Sequence, residues 1–317
     1  MCDTLLPLRV RFRFGTGSRP ASTPITGKDG DLYVGTADGI VHALRADGSY
    51  RWSYTLRSGV TGQGLVDSTG QLLIPTARSI YALRTDGTLA WIFNNPVELL
   101  GDLVRDGAGQ VRFASKDGRL FEFNARGALI RNVRASRAWS TPLVVLPDGS
   151  VAGGSANGLV LVSKRTTTSR FELRERVDQV LSCPVNRLCA IAGGELRVLS
   201  GEPASAPLTP ARRAASRGEW LAVLRDERTL AVYRGVRGKA VFEAVLPDAA
   251  SAAPALDARG RVYVPLMGGA LLVLSAAGKP VGCEQIGRSQ LATPVIAADG
   301  TALVSAREGL IAAVSAE

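Results

Sequence analysis

From Leu8 to Phe14 the chain alternates strictly: Val10, Phe12 and Phe14 are apolar, and Arg9, Arg11 and Arg13 lie between them. A period of two marks a strand with one buried face and one solvated, basic face. Beyond it, short β-rich runs alternate with turn signals along the whole chain. Asp31 to Leu44 is a run, a tight Asp38-Gly39 turn and a second run. Gln71 to Leu83 and Gln110 to Phe123 repeat that plan. Another turn follows each of them (Ala46-Asp47-Gly48, Thr85-Asp86-Gly87, Ala125-Arg126-Gly127), and then a third run such as Tyr50 to Tyr54 or Leu89 to Phe93. Upstream of each unit sits a short element built around Thr-Pro or Ser-Thr-Pro and aliphatic residues.

One column runs through the repeat: His42, Tyr81, Phe121, Leu161, Arg197, Ala231, Leu272 and Ala312, spaced 34 to 41 residues apart. Four-strand units of this period predict propeller blades, because each unit has apolar faces that only a neighbour can cover. Eight units use nearly all 317 residues. The expected fold is therefore all-β, one eight-bladed β-propeller domain over residues 1–317 with four-stranded blades. The eighth unit ends without a fourth strand. Leu8 to Phe14 has no hairpin partner, so it is expected to pair with Leu310 to Val314 and close the ring. Units five and six fit the pattern least well. Pro203 to Ser216 is the one long irregular connection in the sequence.

Gly30 to Tyr54 matches in full the pattern D-G-x-[LV]-Y-V-G-[ST]-x-D-G-x-[LV]-x-A-L followed by G-x-x-x-W-x-[FY]. This resembles the pyrroloquinoline-quinone enzyme repeat, whose family builds eight-bladed propellers. The match is good in units two, three, four, seven and eight, and poor in five and six. The motif tryptophan is kept at Trp52 and Trp91 only. The resemblance covers nearly the whole chain and implies a fold rather than a function. The repeat occurs in quinone dehydrogenases and in non-catalytic propellers such as the lipoprotein of the outer-membrane barrel-assembly machinery.

A quinone dehydrogenase of that family needs a calcium ion, acidic and amide ligands near the axis, an aspartate base and a stack for the quinone. Ca²⁺ takes six to eight oxygen ligands. The innermost elements here are small and mostly neutral, and Glu98, Asp102 and Asp178 are the carboxylates expected near the mouth. The adjacent cysteine pair of the alcohol-oxidising members is missing. His42 is the single histidine, so histidine-dependent triads and multi-histidine metal sites are excluded. It reads as a packed strand residue. The Asp-Gly, Asn-Gly and Gly-Gly pairs are turn signals that need positive φ, not site residues. The expectation is no catalytic residue, no metal and no cofactor; the alternative is a degenerate quinoprotein-type or other small-ligand propeller enzyme.

Four cysteines occur, Cys2, Cys183, Cys189 and Cys283, with no C-x-x-C spacing for zinc. Cys183 and Cys189 lie symmetrically about Asn186 where two strands of unit five meet. They are either a cross-strand disulfide or two buried thiols, and a bond would point to an oxidising compartment. A Cys2–Cys283 link is the weaker geometric option. Met1 to Leu6 has neither the charged nor the apolar region of a signal peptide. The expectation is a cytoplasmic protein or, favoured here, a bacterial periplasmic or envelope protein whose leader has been removed. Cys2 would then be a candidate lipid-bearing residue on a short tether.

The net charge of +10 comes from five lysines and thirty-three arginines against twenty-eight acids. No block of five consecutive basic residues occurs, which weakens a nucleic-acid or polyanion reading. No apolar run is long enough for a membrane-spanning helix. Arginines recur in the connections between units: Arg19, Arg57, Arg134, Arg137, Arg176, Arg212, Arg213, Arg217 and Arg288, with Trp139 beside Arg137. Arginine and tryptophan anchor interfaces. The candidate partner-binding residues are therefore Arg134, Arg137, Trp139, Arg176, Arg213, Arg217 and Arg288, docking an acidic protein segment most firmly at units four to six. The expected function is a non-catalytic protein-binding scaffold.

Overall fold

A computed structural model describes residues 2, 5–124, 126–134, 138–164, 167–199, 208–236 and 238–316. It is a ring of eight antiparallel blades with no helix among the described residues. Blade one comprises Ile25–Thr26, Leu32–Gly35, Ile40–Leu44 and Tyr50–Thr55, ordered from the axis outward. Blades two to four begin at Leu65, Leu99 and Val144, and blades five to eight at Val177, Arg213, Ala255 and Val295. All eight residues of the repeating column occupy the third position of a third strand, so the periodicity was a true structural register. Pro203–Ser216, the irregular connection, lies partly outside the described residues. Its described part leaves blade five with three strands and, in fourth place, a single bridge from Leu208 to Leu196.

Closure follows the alternation read from the first strand. Arg9–Gly15 pairs antiparallel with Leu310–Ser315, from Arg9 opposite Ser315 to Gly15 opposite Leu310. Its arginines are exposed, while Val10, Phe12 and Phe14 are half-buried. Residues before it continue onto blade seven. Cys283 N–H donates to the Leu6 carbonyl at 3.0 Å, Leu8 is buried, and Cys2 is disulfide-bonded to Cys283. The N-terminal segment therefore clasps both blades seven and eight. Cys183 and Cys189 form the second disulfide, their Cα atoms 5.9 Å apart. Cys2 as a lipid-bearing residue is thus corrected, because its sulfur is already bonded to Cys283 and has no valence left for a thioether.

The cores lie between blades, where each sheet covers the apolar face of the next. The two motif tryptophans explain themselves here. Trp52 of blade one lies over Gly87 of blade two, and a Cβ at Gly87 would sit 2.7 Å from the ring. Trp91 covers Gly127 of blade three in the same way. Phe12 of the closing strand covers Gly48 of blade one, where a Cβ would meet the ring at 2.3 Å. These glycines also hold φ values of +75 to +87, which only glycine adopts without strain. The closing strand thus supplies the same aromatic-on-glycine contact as an internal blade. His42 packs edge-on to Phe14, with ring centroids 5.5 Å apart, and burial lowers its pKa, favouring neutral imidazole.

One blade interface breaks the apolar rule. The second position of the second strand is Tyr33, Leu73, Ala152, Tyr263 and Leu303 in blades one, two, four, seven and eight, and Arg112 in blade three. Arg112 is 2% exposed. Its Nη2 lies 2.8 Å from Asp106 Oδ2 and 3.4 Å from Glu122 Oε2. Its Nε and Nη1 are buried with no acceptor. Removing one member of a buried ion cluster strands the others, at a cost of about 3–5 kcal/mol.

Two outcomes are expected. Deleting residues 1–14 exposes the edge of Leu310–Ser315, and the truncated protein should aggregate, as size-exclusion chromatography will show. Arg112→Ala should lose about 3–5 kcal/mol in urea unfolding, while Arg112→Leu with Glu122→Val should recover most of it.

Candidate partner-binding face

Two kinds of loop form one face of the ring, here the upper face: the connections between blades and the middle hairpin of each blade. Each connection is stitched to the next middle hairpin by a single bridge, as at Pro20–Thr36, Val60–Thr76, Trp139–Ser155, Ala250–Leu266 and Leu291–Ala306. The hairpins are minimal and rigid. Thr36 Oγ1 accepts from Ile40 N–H at 2.9 Å and donates to Asp38 Oδ1 at 2.5 Å. Ser155 repeats the arrangement with Leu159 and Asn157. Short turns of this kind leave little loop with which to build a catalytic pocket.

The arginines on this face divide into two groups. On blades three to six most are already engaged, and Arg174 is exposed with no ion pair among the described residues. Arg176 lies 3.7 Å from Asp178, and Arg212 is 2.8 Å from Glu227. Arg134 donates to the Asp117 carbonyl at 3.4 Å, and Arg213 to the Ser251 carbonyl at 3.1 Å. On blades eight, one and two, Arg19, Arg57, Arg78, Arg288 and Arg307 are exposed and enter no ion pair among the described residues. Only Arg19, Arg57 and Arg288 of these five were foreseen. Arg78 and Arg307 sit in middle hairpins, and the sequence reading had considered connections alone.

Two expected anchors are elsewhere. Trp139 is 6% exposed, packs against Leu120, Leu143 and Leu161, and donates its indole N–H to the Arg119 carbonyl at 3.3 Å. It is a core residue between blades three and four, not a rim anchor. Arg217 ends the first strand of blade six and lines a cavity on the opposite, lower face. Arg137 lies outside the described residues. Docking centred on blades four to six loses its aromatic anchor, and there Arg176, Arg212 and Arg213 already have partners within the chain.

The three expected carboxylates do not converge. Glu98 pairs with Lys116, and Asp178 with Arg176, all four exposed at the rim. Asp102 faces the axis, where the innermost strands are tied into a ring. Thr23 Oγ1 donates to Gln63 Oε1 at 2.6 Å, and Gln63 N–H donates to Asp102 Oδ1 at 2.7 Å. Ser140 Oγ donates to the Val177 carbonyl, Gln179 exchanges two bonds with Ala214, and Ser251 Oγ reaches the Leu291 carbonyl. Burial raises the Asp102 pKa, opposed by the Gln63 N–H. One carboxylate among hydroxyls and amides does not fit a calcium–quinone pair, and no group of three metal-ligating side chains occurs among the described residues.

With this geometry in hand, the comparisons place the fold. The family model PQQ_2, outer membrane protein assembly factor BamB, matches residues 11–132, from the closing strand through blade three. Over that stretch the chain is similar to the PQQ-type repeat. A search of the curated proteins finds no match. Among solved structures, BamB from Moraxella catarrhalis is similar at a TM-score of 0.79 and 15% identity, covering 98% of each chain. Sqt1 from Saccharomyces cerevisiae is similar at 0.76 and 12% identity over 100% of each chain. A streptogramin B lyase is similar at 0.64 and 12% identity, covering 96% of this chain and 98% of its own. At these identities the similarity is one of fold, shared by this propeller with an assembly factor and a lyase alike.

Asp102 yields a prediction with a definite sign. A carboxyl whose folded pKa is raised destabilises the native state when charged. Its penalty is full above the folded pKa and fades as pH falls to the unfolded value. Asp102→Asn keeps the acceptor for Gln63 and removes the charge. The variant should be more stable than the parent at pH 7, and the gap should narrow by pH 4, read from urea unfolding at both pH values.

Proposed function

We propose that this PQQ-type propeller is a non-catalytic scaffold whose upper face receives an acidic segment of a protein partner. The observation that carries the reading is the arc of arginines on blades eight, one and two. Arg19, Arg57, Arg78, Arg288 and Arg307 are exposed there and enter no ion pair among the described residues. Asp38 and Glu308, the carboxylates of the same hairpins, are held by Thr36 and by Ser289. Five cations facing two committed carboxylates create a local positive potential beside the tunnel mouth. Arginine binds carboxylates through a planar fork of donors, which suits glutamate- or aspartate-rich segments.

The family model's description, an outer membrane protein assembly factor, supports a partner-binding role. Two disulfides support an oxidising compartment such as a bacterial envelope. Protein isolated from its own host should therefore show no free thiol under denaturing, non-reducing conditions. Four free thiols would reject that compartment.

The test of the face itself uses a fluorescent polyglutamate peptide and anisotropy at two salt concentrations. Binding should weaken with salt and fall by about tenfold or more in Arg19→Glu with Arg57→Glu and Arg288→Glu. Arg176→Glu with Arg212→Glu should change it by less than about threefold, since those side chains already have partners. Equal losses in both sets, or none in either, would remove the arc as the binding surface. In a pull-down from the native source, the first triple variant should lose the partner that the parent retains.

A further inference from the structure

The lower face carries a basic site of a different construction. Arg217, from the innermost strand of blade six, meets the first turn of blade seven, the first turn of blade eight and the closing strand around a cavity of about 280 Å³. Four guanidinium groups line it, those of Arg11, Arg217, Arg259 and Arg261, against two carboxylates, Asp257 and Asp299. Both acids are committed. Asp257 Oδ1 accepts the N–H groups of Arg259 and Arg261 at 2.9 Å, and its Oδ2 lies 2.6 Å from Arg261 Nε. Asp299 is bonded to Arg11 at 2.7 Å and to the Thr301 N–H and hydroxyl. Glu219, two residues from Arg217, is taken up by Arg234 at 2.8 Å.

Two arginines are left over. Arg217 touches only the Leu256 carbonyl, at 3.3 Å, and the exposed Arg259 side chain enters no ion pair among the described residues. Among the described residues the cavity therefore presents a surplus of two positive charges. A carboxylate would cancel one of those charges. A phosphoryl group carries about −1.5 to −2 at neutral pH, matching that charge, and its three acceptor oxygens can take both guanidinium forks.

We propose that this lower-face cavity is an oxyanion site that binds a phosphoryl group, held by Arg217 and Arg259. It stands on the opposite side of the ring from the arginine arc and does not depend on it. The phosphoryl group could be carried by a soluble phosphomonoester or by a lipid headgroup, and the chemistry of recognition is the same.

The test is calorimetry on the full chain in a phosphate-free buffer at constant ionic strength. Inorganic phosphate and glycerol phosphate should each give a saturable isotherm, and acetate should bind about tenfold more weakly or worse. Arg217→Gln with Arg259→Gln should weaken phosphate by about tenfold or more, and Arg259→Gln alone, a surface change that leaves the fold intact, should weaken it measurably. Arg19→Gln with Arg57→Gln on the upper face should leave it unchanged. Phosphatidylcholine vesicles with and without phosphatidic acid separate the sources. Co-sedimentation that needs phosphatidic acid and fails in the double variant assigns the lipid; a response to soluble phosphate alone assigns the soluble ester. The proposal is overturned by the absence of saturation, by acetate binding as well as phosphate, or by insensitivity to Arg217 and Arg259. Glu317 follows Ala316 of the cavity wall in sequence, so Glu317→Gln is measured too. Phosphate binding that emerges only in that variant would overturn the site in the parent chain.

Discussion

A propeller blade has two apolar faces and cannot bury either by itself, so every blade depends on a neighbour at each side and the ring depends on its last joint. Here that joint is a seven-residue strand from the other end of the chain, paired along its length with Leu310–Ser315. The contact that makes it equivalent to an internal joint is Phe12 over Gly48, the counterpart of Trp52 over Gly87 and Trp91 over Gly127. An aromatic ring can lie flat on the next blade only where the facing residue has no Cβ. The glycine is there for a second reason as well, since the turn needs positive φ. One residue type thus satisfies turn geometry and inter-blade packing at once. The Cys2–Cys283 bond reinforces the same joint from outside. It closes a loop of nearly the whole chain, which in a chain-entropy account restricts the unfolded state by about 5 kcal/mol.

A ring closed in this way is rigid, and its rigidity separates its two faces. The upper face is built from connections and middle hairpins, each held by bridges and side-chain caps. The lower face is built from the first and last hairpins, whose aspartates such as Asp67, Asp106 and Asp257 accept two backbone N–H groups of their own turn. Those aspartates are spent on structure. Arginines are then neutralised only where a second carboxylate oxygen or another acid lies within reach. Arg112 and Arg261 find one, whereas Arg259 does not. With thirty-three arginines in the chain, functional weight falls on those the fold leaves unmatched rather than on arginine as such.

The sequence was most legible where the repeat is regular. The column from His42 to Ala312 and the pairing of the first strand needed only period and alternation. Legibility failed where a residue's direction depends on neighbours outside its own unit. Trp139 precedes a Ser-Thr-Pro element at the axis and looks like a rim residue along the chain. Its burial comes from Leu120 and Leu143, on either side of a blade boundary. Arg217 was assigned to the upper face because blade six lacks the Asp-Gly turn that marks the reversal; its first turn is just Gly218-Glu219. That places Arg217 at the bottom of its strand rather than in the connection before it. Arg137 and residues 203–207 of the irregular segment before blade six lie outside the described residues.

Arg112 was missed for a different reason, and the signal for it was present. Within its own strand, Val-Arg-Phe-Ala-Ser reads as simple alternation with arginine facing water. Aligned with the other units, the same position holds tyrosine, leucine or alanine, and the position of its cross-strand partner Glu122 is filled by Ala43, Ala82, Val162, Val273 and Ala313 in five other blades. A repeat protein carries its own controls. A charged pair at two positions that five other blades keep uncharged cannot be a requirement of the fold. Arg112 and Asp106 border a lower-face cavity of about 620 Å³ between blades three and four. Local charge there is balanced, because Lys164 is matched by Asp148 and Arg112 by Asp106 and Glu122. The pocket around Arg217 and Arg259 differs in that balance rather than in its count of polar groups. Of the two, only the second has charge left over for a ligand, because its acids are already bound to other arginines and to their own turns.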